Sequence, residues 1–167
     1  KAISSASLSS KRGWVTGNNE SLNLTSESMT LTSPNIELVD FKFSNTSGFF
    51  ITFSGGDLRA YNCSFTGLTV TTGTNYTFES CEISGDTSTS IVASIIEVSR
   101  CNFELNSGLT LTLTATLELY YEGNRSSNGR FDFTTGSSTN VISNNRFNGL
   151  VRIAGTATQN LVTIRGG

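Results

Sequence analysis

Histidine is absent from this chain, proline and tryptophan occur once each, and only 14% of the residues are charged. Each scarcity removes a class of function. Without histidine, no side chain ordinarily titrates between pH 5 and 8, and imidazole-based catalysis and metal binding fall away. The 11 basic and 13 acidic residues leave a net charge of −2 with no basic stripe, so nucleic acid is not an expected partner. No apolar run approaches the roughly 20 residues that a membrane-spanning helix needs, and membrane insertion is not expected. Lys1 opens the chain with no signal-peptide pattern, which fits a processed secreted form or an excised piece. Three cysteines, an odd number, cannot all pair internally.

What the chain has in quantity is Ser, Thr and short alternating apolar segments, a composition that favours strands and turns over helices. One unit recurs. Ala60-Tyr61-Asn62-Cys63-Ser64-Phe65 returns as Leu38 to Phe43, Phe78 to Ile83, Val98 to Phe103 and Ile142 to Phe147, with a degenerate copy at Tyr121 to Ser126. The copies begin at 38, 60, 78, 98, 121 and 142, steps of 22, 18, 20, 23 and 21 residues. A period near 21 without helical patterning is the signature of a solenoid.

Each repeat resolves into three segments, A, B and C. Segment A carries Ile36/Leu38, Leu58/Ala60, Tyr76/Phe78, Ile96/Val98, Leu119/Tyr121 and Asn140/Ile142. Segment B carries Phe41/Phe43, Cys63/Phe65, Cys81/Ile83, Cys101/Phe103 and Asn145/Phe147. Segment C carries Met29/Leu31, Ile51/Phe53, Leu68/Val70, Ile91/Ala93, Leu111/Leu113, Phe131/Phe133 and Val151/Ile153. Apolar residues at i and i+2 put one face of each strand inward. Between A and B lies a tight corner holding Asp40, Asn62, Ser80, Arg100, Gly123 and Asn144; Asp, Asn and Gly are the types that tolerate left-handed backbone. The cysteines share one slot per repeat, which predicts buried free thiols filling an interior column rather than a metal or redox centre.

The Ile142-Ser143-Asn144-Asn145-Arg146-Phe147 form and the Asn/Asp corner resemble the right-handed parallel β-helix proteins. This is the pectate-lyase-like group, which includes phage tailspikes and secreted surface proteins, and the resemblance spans roughly residues 29–164. The expected fold is all-β: a single-stranded right-handed parallel β-helix, three short strands per coil of about 21 residues, with about 6–7 coils. A flexible N-terminal arm is expected at 1–12 and the β-helix domain at 13–167.

Polysaccharide-cleaving members of that group carry convergent acids and bases on outward positions. Here the outward positions of segment C are mostly threonine, Asp132 has no acidic partner on adjacent rungs, and the loops are short. No catalytic residues, cofactor or metal ligands are expected. The outward threonines Thr30, Thr32, Thr52, Thr69, Thr71, Thr112 and Thr114 form a candidate binding face for carbohydrate or ice. A second outward column turns apolar along the axis, ending in Tyr120, Val141 and Leu161, the candidate self-association stripe. Six glycosylation sequons, at Asn19, Asn23, Asn45, Asn62, Asn75 and Asn124, are about what so Ser/Thr-rich a chain carries by chance. The expected role is therefore structural: an extracellular filament or surface-appendage subunit, or a phage tail or virion component. It would form a homo-oligomer or head-to-tail polymer, with surface polysaccharide a further partner. The alternatives are a carbohydrate- or ice-binding module, and a fragment of a polysaccharide-degrading tailspike.

Overall fold

The computed structural model describes residues 15–24, 29–31, 35–45, 51–53, 55–66, 68–85, 88–135, 139–155 and 161–162. The expected arm at 1–12 and Thr32 lie outside them. Fifteen strands, from Val15–Leu24 to Leu161–Val162, join in one all-parallel sheet, and no helix occurs among the described residues. The chain is a β-solenoid whose coils repeat about every 21 residues, as the sequence period requires.

The corners set the coil count. Asp40, Asn62, Ser80, Arg100, Gly123 and Asn144 all have positive φ, between 52° and 67°. Six stacked corners enclose about five turns, fewer than the 6–7 expected; the partial strands at either end had inflated that figure. Left-handed backbone costs about 1–2 kcal/mol for a residue with a Cβ. Ser80 and Arg100 accept that cost because the next coil holds the corner: the N–H of Ser80 donates to Ser99 O at 3.0 Å and that of Arg100 to Glu122 O at 3.1 Å. The exposed corner side chains also bond from coil to coil, Asn62 to Asp40 at 2.6 Å, Arg100 to Glu79, and Asn144 to Glu122 at 3.1 Å.

Segments A, B and C form three ladders. In several coils the C and A segments are one continuous strand, as in Thr89–Ser99 and Thr110–Glu122, with an irregularity where the chain turns. Inward residues stack with their equivalents. Phe43 and Phe65 lie parallel with centroids 5.2 Å apart, and Phe53 meets Phe65 edge-on at 6.2 Å. Further along, Tyr121 stacks on Phe147 at 5.8 Å and meets Phe133 at 5.0 Å. Burying each such ring contributes on the order of 2–3 kcal/mol, and no single coil could enclose it alone.

One register differs from the sequence alignment. Ile91 lies opposite Val70 and Leu113, so Thr89, not Ala93, completes the inward pair of that rung. Thr89, Ile91 and Ala93 all point inward, and alternation alone cannot say which pair begins the ladder.

Candidate functional site

The corner between A and B creates a local problem whose solution is visible in the column behind it. The column residue's C=O joins the ladder: Cys63 O accepts from Glu82 N, Cys81 O from Asn102 N, Cys101 O from Arg125 N and Asn124 O from Arg146 N. Its N–H points along the axis into the interior, where a donor without an acceptor is costly. The side chain of the next coil's column residue supplies that acceptor. Asn145 Oδ1 takes the Asn124 N–H and Asn124 Oδ1 takes the Cys101 N–H, both at 2.8 Å. Cys101 Sγ takes the Cys81 N–H at 3.3 Å. The same atoms reach back to a carbonyl of segment A: Asn145 Nδ2 to Tyr121 O at 2.7 Å, Asn124 Nδ2 to Val98 O at 2.9 Å, and Cys81 Sγ to Ala60 O at 3.3 Å.

The cysteines are thus more than the apolar filling the sequence suggested. They are free, buried thiols, as expected, but they stand in for asparagine in a polar ladder. Hydrogen bonding between neighbouring thiols, reinforced by burial, pushes Cys63 well above the ordinary thiol range. The bond to Cys101 in the same way raises Cys81 to about 12. Neither is a thiolate nucleophile at neutral pH. No group of three His, Cys, Asp or Glu able to hold a metal occurs among the described residues. One other buried polar pair escaped the sequence pattern: the Tyr121 hydroxyl lies 2.9 Å from Ser126 Oγ in the aromatic core.

The threonine face is only partly the array that the sequence suggested. Thr30, Thr52 and Thr69 lie in register on successive coils. Ser90 follows, then Thr112, Asp132 and Arg152. The ladder is therefore five hydroxyl residues long before it becomes charged. Asp132 is held by Arg130, with Nε to Oδ1 at 2.8 Å. The second row is broken: Thr71 falls in the irregularity between Val70 and Gly73, whereas Thr114 pairs with Val92 and Thr134.

The other outward column is continuous from Glu37 through Arg59, Thr77, Glu97, Tyr120 and Val141 to Leu161. Tyr120 and Val141 are half-buried, and the nearby Glu118 carboxylate raises the Tyr120 phenol above its ordinary value. Leu117, 57% exposed, stands at the bend three residues before Tyr120. One of the sequons is excluded by geometry, since Asn124 is buried in the ladder; Asn62 is exposed at the left-handed corner, its amide bonded to Asp40.

Comparison with protein-family models, with curated proteins and with solved structures finds no match to this chain. Any functional conclusion rests on the geometry.

Proposed function

We propose that the chain is a non-enzymatic structural β-solenoid, a subunit of an extracellular filament or surface appendage or of a phage tail or virion appendage. It associates with further copies through its ends and along the Tyr120/Val141/Leu161 column. Its likeness to pectate-lyase-like proteins and tailspikes, carried by the repeat form, is part of the same proposal.

The observation that supports it lies at the last B and C strand. Among the described residues, strand Arg146–Gly155 is paired along one edge only. Its inward residues Phe147, Val151 and Ile153 are only partly buried, whereas their register partners Ser126, Phe131 and Phe133 one coil back are fully buried. A parallel edge over a half-covered aromatic core accepts a further coil, whether of this chain or of another copy. Sedimentation and electron microscopy test the proposal. Filaments or discrete oligomers support it, and a monomer that persists at high concentration overturns it. A second reading, a hydroxyl face for carbohydrate or ice, is favoured by the in-register Thr30, Thr52, Thr69, Ser90 and Thr112; thermal hysteresis and glycan-array measurements decide it.

A further inference from the structure

The net charge of −2 conceals a division along the chain. Residues 1–122 hold 12 acidic and 6 basic residues, a balance of −6, whereas residues 123–167 hold five arginines and one aspartate, a balance of +4. Of these, Lys1, Lys11, Arg12, Glu27, Asp86 and Arg165 lie outside the described residues. The ladders place the others. Arg125 and Arg130 stand on strand Arg125–Thr135, and Arg146 and Arg152 on strand Arg146–Gly155, which carries no acidic residue. Register sets Arg125 beside Arg146 and Asp132 beside Arg152. At the opposite end the sign reverses. Glu20 is the one charged residue of strand Val15–Leu24, and Glu37 and Asp40 follow on Asn35–Asn45 against Lys42 alone.

A coil step is about 4.8 Å, so charges on the two outermost coils lie within a Debye length, about 10 Å at 0.1 M salt, of whatever meets that end. The division selects one kind of join. Two arginine ends, or two acidic ends, meeting about a two-fold axis would set like charge against like. Only the arginine end of one copy against the acidic end of the next brings opposite signs together. Such a contact is heterologous: it leaves a free end on each side and repeats. The arginine end also carries the half-covered Phe147, Val151 and Ile153. Apolar cover supplies affinity there, and charge supplies direction.

We propose that a second copy of this chain docks head to tail, its acidic first coil against the end that bears Arg125, Arg130, Arg146 and Arg152, and that the charge division fixes this polarity. The proposal rests on the self-association put forward above and adds its direction and its electrostatic origin.

Sedimentation of the full chain at low and high salt, with two charge variants, tests it. Association should weaken as salt screens the ends. Arg146→Glu/Arg152→Gln and Glu37→Lys/Asp40→Asn should each raise the concentration needed for assembly by about tenfold. Mixing the two variants should restore association, because each keeps one native end and the native ends meet. The four side chains are exposed or half-buried, and asparagine suits the left-handed corner at 40, so circular dichroism should match the parent. Arg146→Gln and Glu37→Gln, which add no like charge, give the same directions should a reversal unfold. Two results overturn the proposal while leaving self-association intact: a variant that assembles as readily as the parent, or a mixture no more associated than its components. A parent that stays monomeric at high concentration overturns both readings.

Discussion

Asn145 Oδ1 accepts the backbone N–H of Asn124 at 2.8 Å, one coil back, while its own Nδ2 donates to Tyr121 O at 2.7 Å. A single buried amide thus completes two backbone groups that the left-handed corner removes from the sheet ladder. Asn124 and Cys101 repeat this arrangement on the two preceding coils.

Asn124→Ala should be among the most damaging single changes. It leaves Cys101 N–H and Val98 O buried without partners, at about 1–3 kcal/mol for each group. Urea denaturation followed by circular dichroism measures the loss. A midpoint equal to that of the parent would show that water satisfies both groups.

Cys101→Asn should be neutral or stabilising, although it places a polar amide in the core. The new amide would meet Cys81 N–H and Phe78 O, the groups the thiol now contacts at 3.3 and 3.5 Å. Cys101→Val, closer in shape to a thiol, should be worse because it offers no acceptor. If valine proves the better replacement, the ladder contributes less than packing.

Stability should fall in alkali. Cys63 and Cys81 are held above the ordinary thiol value near 9, Cys81 at about 12, chiefly by bonds to neighbouring thiols. Between those values Cys63 and Cys81 have released their protons in the unfolded chain and kept them in the folded one, so rising pH favours unfolding. Below the ordinary value these two thiols are protonated in both states and give no pH dependence, while Cys101, lowered by its bond to Cys81, acts in the opposite sense there. The urea midpoint should therefore fall from about pH 9 upward, and less so in Cys81→Asn. A midpoint that stays level to about pH 11 refutes the assignment.

Gly123→Ala isolates the cost of a corner. A Cβ there meets nothing closer than Arg100 Cγ at 3.9 Å, so only the φ of 67° opposes it. The expected loss is about 1 kcal/mol, and Gly123→Asn should lose less. Equal losses for the two variants would point to a steric cause.

Tyr120→Asp and Val141→Asp introduce charges into the proposed association column and should shift any oligomer toward monomer by sedimentation while leaving the circular dichroism spectrum unchanged. An unaltered oligomer moves the interface elsewhere.

Strand order, period and corner were legible in the sequence because each depends on local residue type. The whole outward column from Glu37 to Leu161 could be assigned by counting i and i+2. The register at Ile91 was not legible, because Thr89 is a buried polar residue in an apolar slot. The asparagine ladder was hidden for the opposite reason. Asn145 stood in the right slot, but its meaning depends on a backbone N–H of the preceding coil, which no single repeat displays. The copy Tyr121 to Ser126 looked degenerate because Asn124 and Ser126 replace the usual apolar pair; both are interior and bonded. The arginine pair at 125 and 146 was equally invisible until register set the two side by side.

The side-chain column has a direction. Every hook from Cys81 to Asn145 reaches toward the preceding coil, and Phe41, the first aromatic in the slot, has no atom with which to reach back. Growth of the stack therefore works as a one-way zip: each new coil brings the clasp that closes the one before it. A coil with apolar inward positions, a residue that tolerates the left-handed corner and an acceptor in that slot could be spliced in after residue 100 or residue 123. Length, in this molecule, is a quantity that evolution or design can change one coil at a time.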